Sequence, residues 1–171
     1  MVGKWRRIIR HLLTPDWLAR RHFTGEVLDR IEAAIVDSER RHRGEIRFAV
    51  ESEIELSALL QDVSPHQRAV EAFGHLGVWD TEENSGVLVF VQLVDRRVEI
   101  VVDRGVAQVT DASTWREICA AMEAAFAGER YLAGSLDAIE RVGKVLEQHF
   151  PAYPRNPNEL PIQLVGAGSS L

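Results

Sequence analysis

The chain of 171 residues contains only one cysteine, Cys119. A single cysteine excludes an internal disulfide framework and is typical of a protein kept in a reducing compartment, so we expect a cytoplasmic location. Cys119 lies beside Ile118 and about one helical turn before Met122. These apolar neighbours predict a core thiol rather than a nucleophile.

Long apolar runs are also absent. The strongest one begins at Gly86 and meets Asp95 well before the roughly 20 apolar residues that a membrane-spanning helix needs. The basic start of the chain, MVGKWRR, is followed by neither an uninterrupted apolar stretch nor a small-residue cleavage site. We therefore expect no spanning segment and no secretion signal, and at most a peripheral association with the inner membrane.

The common catalytic signatures are missing as well. There is no glycine-rich phosphate loop, no Gly-x-Ser-x-Gly elbow, no cysteine ahead of an arginine loop and no paired-aspartate motif after a strand. The six histidines do not have the spacing of metal ligands. No catalytic residue is predicted, and whether the chain is an enzyme stays open from the sequence.

What the sequence does have is an uneven distribution of charge. The net charge is −6, but residues 1–22 carry six basic side chains and one acidic side chain, so this arm is +5 and the rest is −11. An acidic body argues against nucleic acid as a partner, because binding to phosphates needs a positive face. Within the arm, apolar residues at three-to-four spacing face basic ones and predict a short amphipathic helix. The apolar side is Trp5, Ile8, Ile9, Leu12 and Leu13, and the basic side is Lys4, Arg6, Arg7 and Arg10.

A basic amphipathic helix has more than one use. It can lie on an anionic membrane surface or dock on a protein partner, and it can equally pack its apolar side on its own domain. The sequence leaves these alternatives open. It divides the chain into the basic arm at 1–23, a domain at 24–150 and an extended, proline-rich tail at 151–171.

Hydrophobic periodicity from Thr24 onward alternates between helix and strand. Thr24 caps a helix that we expect to end near Gly44, and Ser64, Pro65 and Gln67 form a capping box for a second helix. We expect that second helix to bury Val70, Phe73 and Leu76. Strands are predicted at 45–51, 87–94 and 97–103, and two further helices at 111–126 and 131–149.

The order of these elements predicts an α/β fold. Two strands joined through a helix lie parallel, and the short connection to the third strand makes that one antiparallel. The second strand is apolar on both faces, so it needs helices on both sides. We therefore predict a three-layer α/β/α sandwich around a small mixed β-sheet.

Several short pieces in this order resemble one known family. They are Gly44-Glu45-Ile46, Asn84-Ser85-Gly86, Asp95-Arg96-Arg97, Arg104-Gly105-Val106 and Thr110-Asp111, followed by Phe126, Gly128, Tyr131 and Gly134. Together they resemble the TPM domain, shared by plant thylakoid lumen proteins and many bacterial envelope proteins. The chain is similar to the short bacterial cytoplasmic branch. The resemblance implies an α/β/α sandwich, and in some members weak acid phosphatase activity, calcium binding, photosystem repair or receptor modulation.

The chain departs from the family pattern at two places. Asn84-Ser85-Gly86 stands where the family commonly has Asp-Asn-Gly, which removes a carboxylate. Asp103-Arg104-Gly105-Val106-Ala107 stands where Gly-Tyr-Gly-Leu-Glu is common, which adds one acid and removes another.

The predicted sheet gathers polar side chains at one end. Glu45, Asn84 and Asp103 fall there, and Asp80 or Glu83 from the preceding loop could complete a partial oxygen shell for Ca²⁺ or Mg²⁺. The alternative is that these acids are solvated residues that end strands.

Three neighbouring residues are also of interest. Arg104 is a candidate anion contact or a partner that neutralises Asp103, and Trp79 is a candidate for the wall of a binding cleft. We expect Gly105 to adopt a backbone conformation that other residues avoid.

Two functions of different classes follow. The first is a non-enzymatic interaction module, accessory to the cell envelope, that docks on a protein partner or an anionic membrane surface through its N-terminal helix. The second is a divalent-cation-dependent hydrolase of phosphate esters that uses the strand-end acids.

Overall fold

A computed structural model describes residues 21–51, 63–93 and 95–153. The predicted N-terminal helix and the tail beyond Tyr153 lie outside these ranges. The described elements, in chain order, are α1 (Gly25–Glu39), β1 (Glu45–Glu51), α2 (Pro65–His75), β2 (Gly86–Gln92), β3 (Arg97–Val102), α3 (Arg104–Val109), α4 (Ala112–Ala127) and α5 (Tyr131–His149).

The three strands form one mixed sheet in the order β1-β2-β3. β1 pairs in parallel with β2, with Glu45 opposite Gly86, and β2 pairs antiparallel with β3, with Val87 opposite Val102. Both predicted strand directions are confirmed. The starts of β1 and β2 and the end of β3 therefore meet at one end of the sheet.

Helices cover both faces of the sheet. Every residue of β2 is buried, and its side chains alternate between two apolar clusters. Val87, Val89 and Val91 belong to the cluster that includes α1, α4 and α5, whereas Leu88 and Phe90 face α2. The three-layer α/β/α arrangement is confirmed.

The starts of α1 and α2 follow the predicted capping signals. The hydroxyl of Thr24 accepts a hydrogen bond from the Val27 N–H at 3.3 Å. The Ser64 hydroxyl accepts from the Gln67 N–H at 3.1 Å, while the Gln67 side chain accepts from the Ser64 N–H at 2.9 Å. This reciprocal pair is the expected capping box.

α1 ends at Glu39, five residues before the predicted end at Gly44. The reason is a pairing of residues 41–43 with the chain that follows α5. Arg43 N–H donates to the Phe150 carbonyl at 2.8 Å, and Ala152 N–H donates to the Arg41 carbonyl at 3.0 Å. His42 and Pro151 form an isolated antiparallel bridge between these two bonds.

The predicted buried stripe of α2 was wrong at two of its three positions. Val70 is 47% exposed and Leu76 is 50% exposed, whereas Ala69 is fully buried. Ala69 packs with Leu88 and Phe90, because a small residue lets the helix approach bulky strand side chains closely. Within the described ranges, no helix has both the length and the apolar character needed to cross a membrane.

Candidate functional site

Backbone hydrogen bonds join three elements at the end of the sheet. Asp103 N–H donates to the Gly86 carbonyl at 2.9 Å, and Gly105 N–H donates to the Asn84 carbonyl at 3.0 Å. On the other side, Glu45 N–H donates to the Ser85 carbonyl at 3.3 Å. The loop before β2 is thus held between β1 and the segment that follows β3.

Asp103 begins a helix rather than simply ending a strand. It is the N-cap of α3, and its Oδ1 accepts a hydrogen bond from the Arg104 N–H at 2.7 Å. The sequence did not predict α3, because its six residues are too few to show a helical period. Asp103 therefore has a structural role, because it caps the start of α3.

Arg104 and Asn84 contact each other directly. Nε of Arg104 donates to Oδ1 of Asn84 at 3.0 Å. Asn84 has φ 52°, the left-handed conformation that asparagine tolerates better than most residues. Oδ2 of Asp103 is buried and has no hydrogen-bond partner in the described part of the chain.

Gly105 is required for space rather than for its backbone angle. It lies in α3, and its φ is outside the positive range, so the prediction of an unusual conformation was wrong. A Cβ atom at this position would lie 2.3 Å from the Glu83 carbonyl oxygen and 2.7 Å from that of Asn84. The close approach of α3 to the loop before β2 therefore depends on glycine.

Glu45 and Asp80 lie in a different part of the strand end. They line a cavity of about 280 Å³ together with Arg43, Glu83 and Tyr153. Nε of Arg43 lies 3.1 Å from Oε2 of Glu83, and the guanidinium carbon lies 4.4 Å from the centre of the Tyr153 ring. The cavity thus contains a charge pair next to an aromatic ring.

The residues proposed for a metal are therefore split between two places. The Arg104 side chain donates to Asn84, and the Arg104 backbone N–H donates to Asp103. Glu45 forms an ion pair with Arg47. No three acidic, histidine or cysteine side chains in the described ranges come together as a metal site. A guanidinium on an amide oxygen repels a second cation, so this arrangement does not fit a Ca²⁺ or Mg²⁺ shell.

Trp79 does not belong to the cavity that contains Glu45 and Asp80. Its side chain is 57% exposed. The residues that sequence reasoning missed are Arg43 and Tyr153. Neither carries a motif, and Tyr153 falls in the proline-rich tail, which gave no signal that its first residues return to the domain.

A larger groove lies along β3, which is one of the two edge strands in the described sheet, and we call it the edge groove. It has a volume of about 690 Å³ and is lined by β3, α2 and α4, including His66, Val70, Val98, Ile100, Trp115 and Cys119. Burial, followed by the charge of Glu99, raises the pKa of Cys119 to about 12. The thiol is therefore protonated at neutral pH, which is unsuitable for a nucleophile.

Comparisons with known proteins agree with this architecture. A family model described as the TPM domain matches residues 20–145. No curated protein matches the chain.

Two solved structures are similar to the chain. The NMR structure of BA42 protein from the psychrophilic bacterium Bizionia argentinensis has 30% sequence identity and a TM-score of 0.67, over 81% of this chain and 90% of that chain. The N-terminal domain of cg2496 protein from Corynebacterium glutamicum has 16% identity and a TM-score of 0.53, over 72% of this chain and 73% of that chain. The second likeness concerns the fold alone.

Proposed function

The chain belongs to the TPM domain family, and from that premise we propose that it is a non-enzymatic interaction module that engages an anionic membrane surface through its basic N-terminal arm. In this proposal the protein is cytoplasmic and peripheral to the inner membrane, where it serves maintenance of the cell envelope. A protein partner for the arm is the other outcome of the test below.

One observation carries the proposal: several polar residues of the strand end contact one another or cap a helix. Asp103 caps α3, Arg104 holds Asn84, and Arg43 pairs with Glu83. Hydrolysis of a phosphate ester needs a nucleophile or a metal-activated water together with groups that stabilise the developing charge. Groups that are already paired with one another support such chemistry less well than they support a structural role.

The charge distribution supports a membrane surface as the partner. The arm carries +5 on a chain with net charge −6. An anionic surface attracts each Lys or Arg near it by roughly 1 kcal/mol, and it repels an acidic body. The protein would therefore approach the surface with the arm first.

Vesicle sedimentation tests this proposal. We expect the full chain to bind vesicles that contain phosphatidylglycerol and not neutral phosphatidylcholine vesicles, with binding weakened by salt. Combined Arg6→Gln, Arg7→Gln and Arg10→Gln substitutions should weaken binding by roughly 3 kcal/mol, on the order of 100-fold.

The matched control changes the same net charge on the body. Arg30, Arg40 and Arg130 are exposed on or next to helices, and replacing them with Gln should leave vesicle binding nearly unchanged. Equal loss in both triple variants would show a nonspecific charge effect and contradict the proposal. If the full chain ignores anionic vesicles but its arm captures a protein, the partner is a protein.

A further inference from the structure

The edge groove exposes apolar surface on a part of the fold that is separate from the cavity of Glu45 and Asp80 and from the contact between Arg104 and Asn84. Its floor is the outer side of β3, and its walls are α2 and α4. Val70 on α2 is 47% exposed beside it, although the helix position is apolar. Trp115 on α4 lies in the opposite wall.

A side chain of α4 already binds part of this edge. Val98 N–H donates to Oε1 of Glu123 at 3.0 Å. Oε2 of Glu123 also lies 3.6 Å from Arg97. Because Glu123 of α4 occupies this position, the edge does not favour an added β-strand there. What remains to be covered is an apolar surface.

The described chain begins close to one end of the groove. The ring of His22 stacks on Tyr131 with 4.1 Å between ring centres, and the ring centre of Phe23 lies 6.0 Å from that of Phe126 on α4. Phe126 lies about one helical turn after Glu123, which lines the groove. The described chain therefore begins near the end of the helix that forms one wall of the groove.

Length and charge both suit an occupant from this segment. The nine residues 5–13 would span about 14 Å as a helix, while the six residues of β3 extend about 20 Å. Residues 14–20 could bridge at most about 25 Å. The arm is +5, and the rest of the chain is −11 because the total is −6.

We propose that the N-terminal helix of the same chain docks its apolar side, formed by Trp5, Ile8, Ile9, Leu12 and Leu13, in the edge groove. Its basic side then faces water. The apolar side cannot lie in the groove and on a membrane at once, so docking holds the arm back until a surface competes for it. The inference concerns an intramolecular contact and does not require that the proposed membrane binding is correct.

Paramagnetic broadening of amide signals in the full chain tests this contact. The protein carries Cys119→Ser, which removes its one cysteine, and Arg7→Cys, which places a nitroxide on the basic side of the helix. We expect broadening of amide signals from β3 and from the facing side of α4, and little effect on the outer side of α1. Broadening at another face, or at none, overturns the proposal.

A pair of exposed valines supplies matched variants. Val70 lines the groove and is 47% exposed, whereas Val36 on α1 is 48% exposed and lies elsewhere. Val70→Asp should abolish the broadening and Val36→Asp should preserve it. The double variant with Ile9→Asp and Leu12→Asp changes the arm instead of the groove, and it should also abolish the broadening. Persistence of the broadening in these groove and arm variants overturns the proposal.

Two further mixtures identify the occupant. Nitroxide-labelled protein without ¹⁵N, mixed with ¹⁵N protein without nitroxide, should give no broadening; broadening there would mean that a second copy supplies the arm, which contradicts the inference. Phosphatidylglycerol vesicles that bind the protein should remove the intramolecular broadening. Broadening that survives while the protein sediments with vesicles would contradict the competition, whereas absence of sedimentation contradicts only the proposed membrane function.

Discussion

Oγ of Ser38 lies 3.0 Å from Nε2 of His42, and both side chains are buried. Nδ1 of His42 lies 3.0 Å from the Gly44 carbonyl oxygen. A carbonyl only accepts, so Nδ1 carries the proton and Nε2 accepts from the Ser38 hydroxyl. The arrangement has the atoms of a nucleophile and its base, but burial closes it to a substrate. It instead fastens the end of α1 to the start of β1.

Acid should weaken the fold through His42. Burial is the main reason why the pKa of His42 lies below its usual value, with the charge of Arg41 acting in the same direction. The unfolded chain therefore takes up a proton at about pH 6.5 that the folded chain resists. The free energy of unfolding should fall as the pH drops below about 6.5, until the lower folded pKa is reached.

Urea unfolding at several pH values between about 7.5 and 5.5 measures this effect. Each pH unit in the window should cost up to about 1.4 kcal/mol for this one group. His42→Gln should be less stable at the upper pH and should show a smaller decline toward the lower one. A variant that declines as steeply as the parent would show that His42 is not responsible.

Gly86 should tolerate no side chain. A Cβ atom there would lie 1.9 Å from the Val78 carbonyl oxygen, at the start of a strand whose residues are all buried. We expect Gly86→Ala to reduce the free energy of unfolding by about 3 kcal/mol, because the backbone must shift. Gly74 in α2 is exposed with nothing within 4 Å. Gly74→Ala should therefore stabilise the fold by roughly 0.5–1 kcal/mol, and destabilisation in this control would contradict the steric explanation.

The opposite end of the sheet depends on Glu51. Its carboxylate accepts from two nitrogens of Arg68 and, at 3.0 Å, from the Gln92 side chain, which is buried. Glu51→Ala leaves these donors without their partner and should cost about 2 kcal/mol or more. Glu71 also pairs with Arg68, at 2.9 Å, but is 52% exposed. Glu71→Ala should cost less than about 1 kcal/mol in the same thermal or urea measurement; equal losses would contradict the assigned roles.

Calorimetric titration with Ca²⁺ and with Mg²⁺ should show no saturable binding at the strand end. Arg104 already donates to Asn84, and Oδ1 of Asp103 accepts from the backbone of α3. Asp103→Asn keeps an oxygen for the cap while removing the charge, so it is the proper comparison. Saturable binding by the parent that disappears in Asp103→Asn would contradict this expectation and would return the phosphate-ester hydrolase to consideration.

Much of the fold could be predicted because local signals agreed with the tertiary structure. β1 has the predicted bounds, and the apolar character of β2 on both faces indicated its central place between two helical layers. The capping box at Ser64 placed the start of α2 correctly. Such signals depend on neighbouring residues, which the sequence displays directly.

The errors concern distances between elements that are far apart in sequence. Val70 and Leu76 fit an apolar stripe, yet the side of α2 that meets Phe90 is chosen by the size of Ala69. Glu45 and Asn84 were correctly placed at one end of the sheet, but the pairing of Arg104 with Asn84 depends on α3, which has no periodic signal. Side-chain pairing of this kind cannot be read from spacing alone.

The bridge between His42 and Pro151 has a mechanical consequence. Beyond it, Arg43 lies against the Tyr153 ring, so the last described residues adhere to the segment before β1 rather than to the central strand. A force applied at Tyr153, the last described residue, would load these few contacts first, and the chain would peel away to the end of α5 before any strand of the sheet is pulled. The bridge would then break first, while the sheet stays intact.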